Sequence, residues 1–141
     1  MYIAETEAGA FVETYLRNPK GVPVYLSAES LRHRHFTIIA FMKPLRLIDL
    51  TGPGLVRVGV DARLMSGDPA LSQRWALAFW NHPDRPDGIL YRSRHDSEMM
   101  CCAVFDRRDD AHTAKTLGTL ADPANAEILG PILERYGVAL I

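Results

Sequence analysis

The chain has 141 residues, of which 48% are hydrophobic and 23% are charged, as is typical of a globular domain. Its 16 basic and 17 acidic side chains leave a formal charge of −1, which excludes the strongly basic surface that direct nucleic-acid binding requires. No apolar run approaches the ~20 residues of a membrane span, and no charged-then-apolar leader opens the sequence. The sequence therefore predicts a single-domain cytoplasmic protein.

The first elements are a short extended segment at residues 1–4 and a helix after it. Thr6 is suited to cap that helix, and Asn18-Pro19 is suited to end it. Apolar or small residues recur with the spacing of one helix face, at Ala8, Phe11, Val12, Tyr15 and Leu16. An extended segment is then predicted at residues 24–26.

A β-rich section is predicted next. Residues 36–42 are almost wholly apolar, which is typical of a strand covered on both faces. Residues 45–50 alternate as a second strand would, and Thr51-Gly52-Pro53-Gly54 breaks the chain direction before a short helix at residues 55–60.

The second half of the chain alternates helices and strands. Asp68-Pro69 opens a helix whose apolar stripe is Leu71, Trp75, Ala78 and Phe79, and which ends at His82-Pro83. Two strands, residues 88–93 and 99–105, are joined by a polar turn at residues 94–98. Asp122-Pro123 opens a last helix, interrupted near Gly130-Pro131, and residues 136–141 form a terminal strand. The predicted fold is α+β, with short mixed or antiparallel strands and scattered helices.

Two features have ordinary structural interpretations. The basic cluster at residues 32–35 indicates a solvated loop or strand end, with an anion site as the less favoured alternative. His33 and His35 could share a strand face, but no third metal ligand is in range. Adjacent Cys101 and Cys102 point to opposite faces of a strand, which predicts two buried, reduced side chains and no metal site.

The most informative stretch is the polar run at residues 91–96, which directly follows the apolar Ile89-Leu90. A strand that ends in hydrogen-bonding side chains is where a rigid sheet presents groups to a ligand. The alternative is a charged hairpin turn in which Asp96 bonds its own backbone.

Residues 88–94, GILYRSR, and the apolar strand ending in Ala103-Val104-Phe105 resemble the C-terminal signature of RES domains. The serine in the family name corresponds to Ser93. Tyr2-Ile3-Ala4 and the helical residues 10–13, which end in Glu13, are similar to the earlier block of the family. Further similar patterns are Leu47-Ile48-Asp49-Leu50-Thr51-Gly52 and the helix with Gln73 and Ala76. The resemblance covers essentially residues 1–141, although only the serine block is sharply specific.

One departure concerns the arginine of the family name, which precedes the tyrosine in RES domains. Here Met1 stands before Tyr2, so that arginine has no counterpart. The expectation is an RES domain at residues 1–141 that lacks the usual N-terminal section, as a shortened gene product or a degenerate member. Arg32, Arg34 and Arg94 are conceivable substitutes, and the sequence does not choose among them.

The resemblance implies a fold similar to that of NAD-dependent ADP-ribosyltransferases and a site that cleaves the nicotinamide–ribose bond. It implies catalytic roles for Glu13, which would stabilise the oxocarbenium-like charge, and Ser93, which would hydrogen-bond ribose or phosphate. Tyr2, Tyr91 and Arg94 are the NAD-binding candidates. Arg94 could contact phosphate or form an ion pair with Asp96 or Asp106. NAD is the substrate, with no tightly bound cofactor and no metal.

The implied biology is that of an NAD-consuming toxin controlled by a helix-turn-helix antitoxin of the Xre type. The acceptor could be water, phosphate or a protein side chain, and a homodimer is possible. Two alternatives remain open. One is an inactive RES remnant that only binds its partner, and the other is an α+β ligand-binding module unrelated to NAD.

Overall fold

The computed structural model describes residues 1–17, 21–59, 69–106 and 112–141. The elements in these ranges, in chain order, are β1 (Tyr2–Ala4), α1 (Glu7–Tyr15), β2 (Val24–Leu26), α2 (Ala28–Leu31), β3 (His35–Phe41), β4 (Leu47–Asp49), α3 (Pro53–Val58), α4 (Pro69–Trp80), β5 (Gly88–Arg92), β6 (Met100–Val104), β7 (His112–Thr119), a 3-10 turn (Pro123–Asn125), α5 (Ala126–Arg135) and β8 (Val138–Leu140). The predicted α+β class is confirmed. Contacts divide the chain into a first unit, Met1–Ala10 with Lys43–Asp109, and a second unit, Phe11–Met42 with Asp110–Ile141.

The first unit contains a four-stranded sheet with the order β1-β6-β5-β4. Strand β6 is antiparallel to both β1 and β5, and β4 is parallel to β5. Its core cluster is Leu50, Phe79 and Ile89, with Trp75 packed against it. Of the predicted apolar stripe of α4, Trp75 and Phe79 face this core, whereas Leu71 remains 40% exposed. Asp68, the predicted cap of α4, lies outside the described residues.

Strands β5 and β6 approach each other closely where Gly88 begins β5. A Cβ atom at this position would overlap the carbonyl oxygen of Ala103, so the pairing requires glycine. Cys101 and Cys102 are both buried on β6, as predicted, and both faces of this inner strand are therefore covered. Burial raises the pKa of the Cys102 thiol to about 11, which keeps this thiol protonated and unreactive at neutral pH.

The second unit holds a parallel pair, β2 with β8, and an antiparallel ribbon, β3 with β7. Buried apolar residues of several elements form its interior, namely Phe11, Val12, Leu31, Phe36, Leu120, Leu129, Ile132 and Val138. Within this unit the Tyr15 hydroxyl donates to the Ser30 carbonyl oxygen at 3.1 Å, which ties α1 to α2. The boundary between the two units falls inside α1.

Two sequence predictions need correction, and one strand was missed. Strand β3 is not covered on both faces, because Phe36 is its only buried residue and β7 is its only strand partner in the described ranges. Strand β7 was not predicted, since HTAKTLGT contains no apolar run and its pairing with β3 is long-range. Helix α5 continues through Gly130-Pro131, because buried Leu129 and Ile132 anchor the turns on either side of the missing N–H.

The short helix α2 was also not predicted, whereas the predicted start of α1 agrees with the structure. Thr6 caps α1, since its hydroxyl oxygen accepts from the Gly9 amide at 3.0 Å. Helix α1 ends at Tyr15, whereas Asn18-Pro19, predicted to end it, lies outside the described residues. Across the portions that the structure describes, no helix is both long and apolar enough to cross a membrane.

Candidate functional site

The turn after β5 is held by the Ser93 side chain. Ser93 is only 2% exposed, and its hydroxyl oxygen accepts from the backbone amides of His95 at 3.1 Å and Asp96 at 3.4 Å. Its own amide donates to the Met99 carbonyl oxygen at 2.8 Å. With both lone-pair directions engaged, the hydroxyl can offer a ligand only its single hydrogen.

The two arginines beside Ser93 also stabilise this turn. Arg92 donates to the Ser97 carbonyl oxygen at 2.7 Å, and Arg94 Nε donates to His95 Nε2 at 3.1 Å. Arg94 forms neither of the predicted ion pairs with Asp96 or Asp106 within the described residues. Asp96 Oδ1 accepts from the Glu98 amide at 2.9 Å, so the hairpin-turn interpretation of Asp96 is correct. Whether Arg94 contacts a phosphate stays a prediction.

The two candidate tyrosines occupy different parts of the first unit's sheet. Tyr91 is half-buried and packs against the core cluster, whereas Tyr2 on β1 is 82% exposed. Tyr2 is aligned across β6 with Ile89, two residues before Tyr91. Strand spacing and rise therefore place the two tyrosine Cα atoms roughly 12 Å apart, too far for their rings to form one stacked pair.

Glu13 belongs to the second unit, on α1 beside the buried Phe11 and Val12. One of its carboxylate oxygens, Oε1, is buried and has no hydrogen-bond partner among the residues that the structure describes. A buried carboxylate oxygen without a donor is costly and uncommon, and such groups often serve ligands or catalysis. No other side-chain nitrogen or oxygen atom in the described ranges is both buried and without a hydrogen-bond partner.

A second polar cluster, to which the sequence assigned no role, lies where β4 ends. Asp49 Oδ1 accepts from the Thr51 hydroxyl at 2.6 Å and from the Thr51 amide at 2.8 Å. These hydrogen bonds, assisted by the nearby charges of Arg57 and Arg92, lower the pKa of Asp49 below its ordinary value. The only sequence signal for this cluster is the Asp-Leu-Thr-Gly run that ends the strand.

The first unit also carries an open cleft of about 530 Å³ between β4, α3 and α4. Its polar lining residues are Arg46, Arg57, His82 and Asp84, and the ring pair of Trp75 and Phe79, with centroids 5.5 Å apart, contributes apolar surface. None of the predicted site residues lines this cleft. In the ranges described, no group of three or more metal-ligating side chains occurs.

Comparison with known proteins identifies the class. The model of the RES domain family matches residues 1–124, and the chain therefore belongs to the RES domain family. It is 37% identical over 83 residues to a Sinorhizobium fredii protein named "Probable toxin y4kH". The match includes 57% of this chain and 63% of that relative, so the chain spans less than two thirds of the relative's length. No solved structure matches.

Proposed function

We propose that this chain is an RES-type toxin that cleaves the nicotinamide–ribose bond of NAD and is controlled by a helix-turn-helix antitoxin of the Xre type. Family membership and the name of the Sinorhizobium fredii relative support a toxin role. The observation that carries the chemistry is the buried Glu13 Oε1, which has no partner in the described chain.

In the proposed reaction the bond between ribose C1′ and the nicotinamide nitrogen breaks. Its electron pair leaves with nicotinamide, which becomes neutral, while positive charge develops at C1′ and the ring oxygen. In this proposal Glu13 supplies the opposing carboxylate, whose Oε1 accepts no hydrogen bond from a described residue. An acceptor oxygen then bonds to C1′ and loses its proton, and the acceptor is water, phosphate or a protein side chain.

The proposed binding roles are divided among the first unit's candidates. Ser93 donates its hydroxyl hydrogen to a ribose or phosphate oxygen, because the turn amides of His95 and Asp96 already occupy the oxygen. Arg94 is exposed and contributes a guanidinium for phosphate. Tyr91 supplies a half-buried ring, and exposed Tyr2 supplies a ring that can cover nicotinamide.

The test is to incubate the purified chain with NAD and to measure released nicotinamide by chromatography. Release above the rate without protein supports the proposal, and the ribosyl product formed in phosphate-free and phosphate-containing buffer identifies the acceptor. An absence of release, with NAD binding also undetectable by calorimetry, would refute NAD cleavage and favour the partner-binding RES module.

A further inference from the structure

The ribbon formed by β3 and β7 carries an exposed apolar stripe. Ile38 is 50% exposed and Met42, just after β3, is 69% exposed. The register pairs Ile38 with Lys115 and Ala40 with Thr113, and directly paired residues of antiparallel strands share one face. This face of the ribbon therefore combines exposed aliphatic side chains with one lysine.

The outer edge of β3 has no strand beside it among the described residues. In these ranges β7 is the only strand that pairs with β3. Natural edge strands are usually guarded by lysine, proline or a bulge, but HFTIIAF contains neither lysine nor proline. The partner strand, by contrast, carries Lys115 and Gly118, whose φ of 87° disturbs regular pairing. The β3 edge is thus the one suited to accept another strand.

Within the two strands the ionisable side chains are basic, and one carboxylate, that of Asp122 just beyond β7, lies against Gly118. Neither strand contains an aspartate or glutamate. Arg34 and His35 stand at one end, Lys115 in the middle, and His112 packs against the Phe41 ring at the other end, with ring centroids 5.9 Å apart. The net charge of the whole chain is −1, so this basic surface is a local feature. The neighbouring Arg32 and His33 differ, because Glu29 pairs with both at 3.4 and 3.3 Å.

We propose that the ribbon docks an extended acidic segment of a partner protein, which adds to the free edge of β3 as a further strand. Backbone hydrogen bonds would supply affinity, alternate side chains would cover Ile38, and carboxylates would face Arg34 and Lys115. A second copy of this chain fits less well, because it would bring the same cations together. A nucleic acid would leave the aliphatic stripe and the open edge unused. The proposal does not depend on NAD cleavage.

The probe is a fluorescein-labelled, terminally blocked peptide of about eight residues with alternating valine and threonine. It carries one glutamate at the end that would face Arg34 and one in the middle, level with Lys115. Fluorescence anisotropy with the full chain should show saturable binding that weakens as salt is added. Lys115→Glu should weaken binding roughly fivefold or more, since it replaces an attraction by a repulsion. Ile38→Thr should weaken it through the loss of apolar contact.

The matched control is Arg17→Glu, the same charge reversal at an exposed residue of the same unit outside both strands. Arg17→Glu should change the dissociation constant of the peptide by less than about twofold. Circular dichroism should show that all variants are folded. Equal binding of a peptide with lysines in place of both glutamates, equal weakening by Arg17→Glu, or displacement by single-stranded DNA would overturn the proposal. The proposal would also be overturned if light scattering showed a dimer that Ile38→Thr dissociates, because the occupant of the β3 edge would then be a second copy of the chain.

Discussion

The two candidate catalytic side chains, Ser93 and Glu13, both have buried polar atoms, yet the surroundings of these atoms differ. The Ser93 hydroxyl accepts two backbone amides of its own turn, so its position is explained by the stability of that turn. The Glu13 carboxylate has a buried oxygen to which no described residue donates. A satisfied group can hold a structure together without a ligand, whereas an unsatisfied buried group carries an energetic cost and is often found at functional sites. The comparison therefore favours Glu13 over Ser93 as the residue that carries the proposed chemistry.

The largest effect is expected from Glu13→Gln, which keeps the shape of the side chain and removes its charge. Nicotinamide release should fall about 100-fold or more, in keeping with the loss of electrostatic transition-state stabilisation. The free energy of unfolding should change by less than about 1 kcal/mol, because Oε1 makes no hydrogen bond that would be lost.

The control for this variant is Glu7→Gln, an exposed glutamate in the first turn of the same helix. It should release nicotinamide at the unmodified rate. If Glu7→Gln and Glu13→Gln lowered the rate equally, helix stability and not the buried carboxylate would explain the loss.

An intermediate effect is expected from Ser93→Ala, which removes the acceptor of two turn amides. The unfolding free energy, measured by urea denaturation, should fall by about 1–3 kcal/mol, since both amides lose their acceptor in a partly buried position. Ser97→Ala, at an exposed position of the same turn, should change it by less than about 0.5 kcal/mol. If Ser93→Ala kept its stability but lost NAD cleavage completely, Ser93 would be a ligand-binding residue and not a group that stabilises the turn.

The smallest effect is expected at Asp49, whose folded-state pKa is lowered chiefly by the Thr51 hydrogen bonds. Because the pKa of Asp49 is lower in the folded state, its ionised form stabilises the fold at every pH above the unfolded pKa, which is near the ordinary 3.8. This stability is lost as the pH falls from there through the folded-state pKa. Thr51→Val should raise the pKa of Asp49, which carbon NMR measures. The variant should therefore lose less unfolding free energy than the unmodified chain when the pH is lowered through this acidic range. Thr51→Ser retains the hydroxyl and should behave as the unmodified chain does. Because Asp49 is exposed, the difference in stability should stay below about 1 kcal/mol.

Local patterns in the sequence determined several elements of this protein. The helical stripe with its Thr6 cap predicted α1, and the GILYRSR run followed by an apolar segment predicted the β5–β6 hairpin. The same run indicated the RES family, which the family comparison confirms. These features depend on residues close together in the chain, and the Ser93 turn is equally local, because its donors lie two and three residues further on. The ambiguity of Ser93, site or turn, was therefore visible in the sequence.

Only the tertiary structure decided which groups remain without partners. The apolar sequence of β3 predicted a strand covered on both faces, but its exposure depends on β7, about 75 residues away, and on the absence of a second neighbour in the described ranges. In the same way a helix glutamate next to apolar residues is usually solvated, and the burial of Glu13 Oε1 arises from packing. Local propensity specifies backbone conformation, whereas burial and hydrogen-bond satisfaction depend on distant parts of the chain, so the candidate site needed the structure.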